Sequence, residues 1–182
     1  MKSKFIINEL WVLSVAGAFQ RANIYAPGIT ENSKKEFKND LKNYLEQLVS
    51  DQYFKEVKEN IHINNIHALS SYTSKFSSLL KNGKINFGVS QKILNLFLKY
   101  IWCLKLIPTP PHFPVDRIIQ IELNKKAAAN GLPSRKIKSW TKFKDDSDYL
   151  DIIKFVKTLQ IKDKNYTNMS LAEMELALFN RK

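Results

Sequence analysis

A chain of 182 residues with 44% hydrophobic and 12% aromatic side chains can bury a core, which excludes global disorder. Five glycines and six prolines are too few for a turn-dense sandwich or a collagenous chain. The net charge of +12 is uneven: residues 81–145 hold 13 basic and 3 acidic groups, against 10 and 8 before them and 6 and 6 after. Nearly all the excess therefore lies in one stretch, which points to a local anionic partner.

Cys103 is the only cysteine, so an intramolecular disulfide, a Cys-based zinc site and a protein-held iron–sulfur cluster are excluded. A reducing, cytoplasmic location is expected. Lys2 and Lys4 precede the apolar run Leu10–Phe19, but Asn8 and Glu9 interrupt the approach and the run continues with helical spacing. A buried N-terminal helix over Phe5–Ala22 is expected there, not a cleaved signal. No window supplies the ~18 apolar residues of a membrane span, so no membrane association is expected.

Helices separated by short breaks follow. Ser33-Lys34-Lys35-Glu36 reads as a capping box, behind which Phe37, Leu41, Tyr44, Leu45 and Leu48 share one helical face. A short helix is expected near Asp51–Glu59. Ile66, Leu69, Phe76 and Leu80 mark another, stopping at Asn82-Gly83. From Phe87-Gly88 a helix carries Val89, Ile93, Leu96, Phe97, Tyr100 and Leu104, an apolar face wide enough for a central helix. Pro108–Pro114 cannot continue it, and reads as a packed crossover in preference to a ligand for a proline-reading domain. Asp116 is placed to cap a helix that closes at Asn130-Gly131. Asp146 or Ser147 starts the next, carrying Ile152, Ile153, Val156 and Leu159. Ser170-Leu171-Ala172-Glu173 opens a last helix to about Asn180. The expectation is one all-α domain over residues 1–182, a compact bundle of roughly seven to eight helices.

Gly88-Val89-Ser90 at a helix start could aim backbone N–H groups at a phosphate, with Lys81, Lys84 and Lys92 adding positive charge. Gly88-Val89-Ser90-Gln91-Lys92, followed by Pro114-Val115-Asp116, resembles the helix–hairpin–helix DNA glycosylases, with their GVGxK hairpin and later VD pair. The resemblance covers about 40 residues, and Ser90 stands where the hairpin has its second glycine. It implies a hairpin that grips the DNA backbone, Lys92 as the amine attacking the sugar C1′ of a damaged nucleotide, and Asp116 as its acid/base or electrostatic partner. The damaged nucleotide would be flipped into an apolar, aromatic pocket. Read from the residues alone, Lys92 also fits a solvated lysine on a basic helix, and Asp116 a simple N-cap.

Arg135, Lys136, Lys138, Lys142 and Lys144 flank Trp140 and Phe143, a pattern suited to phosphates and stacked bases. It equally suits a basic loop whose Trp140 is anchored in the core. His62, His67 and His112 do not form a metal-ligand spacing, so neither a metal nor a cofactor is expected. No phosphate-loop, nucleophile-elbow, dinucleotide or zinc-protease motif occurs. The expected partner is nucleic acid, DNA before RNA. Three functions fit: a base-excision glycosylase/lyase, a non-catalytic nucleic-acid-binding module, and an interaction protein that pairs its basic surface with an acidic partner.

Overall fold

The helical periodicity is realised over residues 2–179, which the computed structural model describes. Those residues form α1 (Lys2–Phe19), α2 (Glu31–Gln52), α3 (Glu59–Tyr72), α4 (Phe87–Cys103), α5 (Arg117–Ala129), α6 (Ser147–Lys162) and α7 (Leu171–Leu178). Short 3-10 turns lie at Thr73–Phe76 and Trp140–Lys142. An isolated antiparallel bridge between Tyr25 and Leu80 is the sole β pairing among the described residues. The chain is therefore all-α, and none of its described helices is long and apolar enough to cross a membrane.

The broad apolar face of α4 makes it the central element: thirteen of its seventeen residues are buried. α1 packs along one side and α3 along another. Trp11 of α1 meets Phe97 of α4 edge-on, with ring centroids 6.1 Å apart. Gly17 lets α1 approach closely, since a Cβ there would come within 2.8 Å of the Leu96 side chain. Leu41, Leu45, Ile66, Leu69, Ile93 and Leu98 are fully buried in the same continuous cluster. Each such side chain contributes about 1.5–3 kcal/mol relative to exposure.

Several helix ends match the capping signals. Asp116 accepts from the Ile119 N–H at the start of α5, and Ser170 with Glu173 forms the reciprocal box of α7. The expected end of α7 at Asn180 lies outside the described residues. Other boundaries are corrected. α1 stops at Phe19, where a turn leads to Asn23 at φ 44°. α2 begins three residues before Lys34 because Thr30, not Ser33, caps it; Ser33 donates its backbone N–H to Thr30 Oγ1. No separate helix forms at Asp51–Glu59: α2 runs on to Gln52, and α3 begins at Glu59. α3 ends at Tyr72, well before Asn82-Gly83, and passes into a 3-10 turn.

The Pro-rich segment is a buried crossover. Phe113 and Val115 are almost wholly enclosed, and His112 packs against His62 and Tyr149.

Candidate active site

Three amide side chains fix the irregular strands of chain around the site, each holding one residue's backbone by two hydrogen bonds. Gln91 Nε2 donates to the Val115 carbonyl at 2.9 Å while the Val115 N–H donates to Gln91 Oε1 at 3.1 Å. Gln120 holds Lys138 in the same way, at 2.9 Å each, and Asn124 holds Arg135 at 2.7 and 2.9 Å. The first clamp sits one residue from Lys92 on α4 and one residue from Asp116 at the head of α5. It therefore sets the two candidate catalytic residues side by side.

Lys92 Nζ donates to Asp116 Oδ2 at 2.9 Å across twenty-four positions of sequence. Both side chains are largely enclosed, at 10% and 19% exposure. The other oxygen, Oδ1, accepts from the Ile119 N–H at 3.0 Å. Asp116 is thus an N-cap and an ion-pair partner at once, and Lys92 is not a solvated surface lysine. The ammonium also lies 4.5 Å from the centre of the Trp140 ring, an arrangement that favours a cation through the ring quadrupole.

The pair stands at the junction of two open chambers. The larger, about 560 Å³, has an apolar wall of Leu13, Ala16, Leu96, Ile118 and Ile121 and ends at Tyr100 and Phe179. That volume falls within the usual range for small-molecule and cofactor sites. The smaller, about 140 Å³, is bounded by Arg21, Arg117 and Trp140; Lys92, Asp116, Gly17, Gln20 and Ile118 line both.

Two turns along α4 from Lys92, a second ion pair repeats the pattern. Lys99 Nζ lies 2.9 and 2.7 Å from the two carboxylate oxygens of Glu175, and 4.1 Å from the Phe179 ring centre. Burial pushes the Glu175 carboxyl above its usual range; Lys99 opposes that shift, and the charge of Asp116 adds to it. The pair ties α7 to α4 and places Phe179 at the end of the larger chamber.

The other sequence candidates are distributed differently. Gly88 and Ser90 are buried, and the implied phosphate-gripping hairpin is not presented to solvent. The Gly88 N–H donates to the Phe143 carbonyl at 3.2 Å, the Val89 N–H to Asn86 Oδ1 at 2.9 Å and the Ser90 N–H to the Asn86 carbonyl at 3.0 Å. No N–H of that segment remains for a phosphate. A Cβ on Gly88 would fall 1.7 Å from the Trp140 carbonyl oxygen, so this glycine serves close approach to protein backbone. The approach seats the Trp140 ring beside Lys92.

Trp140 itself is 5% exposed and anchored in the core, the second of the two arrangements its basic surroundings suited. Arg135 and Lys138 turn toward α6, Arg135 to Asp151 at 3.3 Å and Lys138 to Asp148 at 2.5 Å. Their charges are partly neutralised. Lys81, Lys84, Lys136 and Lys142 are exposed and line neither chamber. Among the described residues no group of three or more His, Cys, Asp or Glu side chains could hold a metal ion.

Sequence reasoning missed Gln91, Arg21, Arg117 and the Lys99–Glu175 pair. Gln91 is adjacent to Lys92 and offered a local hint, being a polar residue within an apolar helix. The arginines carried no signal, since each stands alone in sequence. The chain matches no protein-family model, no curated protein and no solved structure.

Proposed function

We propose that the protein is a glycosylase/lyase acting on damaged DNA through the amine of Lys92. The observation that carries this reading is the enclosed contact of Lys92 with Asp116 at the mouth of an apolar chamber. An amine nucleophile needs an acceptor for its proton within hydrogen-bond reach, and Asp116 Oδ2 is that acceptor.

On an abasic site the chemistry balances without a cofactor. The Lys92 ammonium passes a proton to Asp116, and the neutral amine adds to the C1′ aldehyde of the open sugar. Asp116 returns the proton to the resulting hydroxyl, water leaves, and a protonated Schiff base remains. The Asp116 carboxylate, free of its proton again, takes a proton from C2′, the C3′–O bond breaks, and the 3′ phosphate leaves with the bonding pair, which cuts the strand. On an intact nucleotide the same attack displaces the base from C1′, and the larger chamber receives the extruded base.

Incision of duplex DNA bearing one abasic site tests the reading. The wild type is expected to nick it, and Lys92→Gln to be slower by ~10³-fold or more, as for removal of a covalent nucleophile. Incision by K92Q at the wild-type rate, or no reaction of the wild type across abasic and damaged-base substrates, contradicts it. A second reading, a non-catalytic nucleic-acid-binding module, draws on the exposed lysines Lys81, Lys84, Lys136 and Lys142 that stand outside the cleft.

A further inference from the structure

We infer that Arg21 and Arg117 form a phosphate-binding subsite beside Lys92, in place of the hairpin whose N–H groups are taken up internally. The inference rests on the reading of the cleft as a nucleic-acid site. Arg21 lies in the turn after α1 and Arg117 is the first residue of α5, yet both line the smaller chamber with Lys92, Asp116 and Trp140. Both guanidinium-bearing residues are exposed, and neither makes an ion pair or a side-chain hydrogen bond among the described residues. Arg135, by contrast, is paired with Asp151.

The charge in the chamber is one-sided. Asp116 is matched by Lys92, which leaves the two arginines as uncompensated positive charge at a concave surface. Guanidinium groups offer planar forks that match phosphate oxygens in pairs. Two forks from separate elements, meeting beside the amine, suit a backbone phosphate that flanks the attacked sugar. The further charges of the larger chamber, Lys125 and Glu122, are paired with each other at 2.7 Å.

The probe is fluorescein-labelled duplex DNA carrying a tetrahydrofuran abasic analogue, which binds but cannot form a Schiff base. Its affinity is read by anisotropy from 50 to 200 mM salt for the wild type, R21Q/R117Q and the equal charge change K55Q/K164Q on exposed residues outside the cleft. Circular dichroism melts confirm that the variants fold. R21Q/R117Q is expected to lose on the order of tenfold affinity per arginine. The slope of log affinity against log salt is expected to fall by about 0.9, the contribution of one phosphate. K55Q/K164Q should change neither by comparable amounts.

Equal affinity and slope in R21Q/R117Q and wild type overturn the subsite. A loss as large in K55Q/K164Q also overturns it, because the effect is then general charge. Absence of wild-type binding at 50 mM salt does the same. If arginine-dependent binding holds while abasic DNA is never incised, the lyase reading fails and the phosphate subsite stands.

Discussion

Asp116 divides its carboxylate between two partners, with Oδ2 on the ammonium of Lys92 at 2.9 Å and Oδ1 on the backbone N–H of Ile119 at 3.0 Å. A cap that starts α5 is thereby also the counter-ion of the buried lysine, and the two duties can be separated by substitution. Asn is as good an N-cap as Asp, whereas Ala loses about 1 kcal/mol at such a position. Both variants leave Lys92 without its counter-charge. D116A is therefore expected to be less stable than D116N by about 1 kcal/mol in urea unfolding. Both should lose incision activity to a similar degree. Equal stability of the two would show that the cap contributes nothing.

Gly88 bears on the site through packing alone. At an exposed helical position Gly→Ala stabilises by roughly 1 kcal/mol. At Gly88 the added carbon would fall 1.7 Å from the Trp140 carbonyl oxygen, which is backbone and cannot swing aside. G88A is expected to destabilise by ~3 kcal/mol or more, at or above the upper end of ordinary overpacking. Its Trp140 fluorescence should also shift as the ring leaves Lys92. A neutral or stabilising G88A in chemical denaturation would contradict the close approach.

The second ion pair predicts a different pattern. E175A strands Lys99 in a site where Glu175 is 3% exposed, and is expected to cost about 3–5 kcal/mol. Replacing both partners, as in K99M/E175M, removes two desolvated charges together and should lie within about 1 kcal/mol of the wild type or above it. A double variant as unstable as E175A would mean that the pair stabilises the fold beyond what apolar packing provides.

Two histidines make the fold acid-sensitive. His62 is fully buried, with Nδ1 against the Tyr53 hydroxyl at 2.8 Å, and His112 packs on its ring at 5.1 Å between centroids. Burial lowers both to about 3, helped by His112 near the first and by Lys157 near the second. In the unfolded chain each titrates near 6.5. Between those values the unfolded state binds more protons, so stability is full above about pH 6.5 and falls as the pH drops toward 3. Each histidine contributes a slope of about 1.4 kcal/mol per pH unit in that window. Urea midpoints at pH 7, 6 and 5 should decline, and H112Q should decline less steeply. Parallel slopes for H112Q and wild type would exclude His112 as a source.

The parts of the fold legible in sequence are those set by short-range chemistry. Asp116 and Ser170 could be recognised as caps because the donors they satisfy lie three residues on. The breadth of the α4 face marked it as central because apolar residues occupy nearly every side of that helix. The box read at Ser33 gave way because Thr30, three residues earlier, caps α2 instead, and Ser33 ended as a donor to Thr30. The Lys92–Asp116 pair was legible only through the resemblance, since nothing local relates residues twenty-four positions apart. The clamp by Gln91, the ring of Trp140 beside Lys92 and the meeting of Arg21 with Arg117 depend on tertiary packing. The basic stretch pointed toward the site but misplaced its charges: Arg135 and Lys138 answer acidic residues of α6, while Arg21 lies outside the stretch altogether.

The chemistry proposed for the cleft turns on Lys92 as the attacking amine. Its most direct test is borohydride reduction of the protein mixed with abasic-site DNA, followed by intact-mass measurement and peptide mapping of the adduct. A single covalent adduct is expected, stable to denaturation and mapped to Lys92, absent from K92Q and weakened in D116N. An adduct mapped to another lysine, or one of undiminished yield in K92Q, would contradict it.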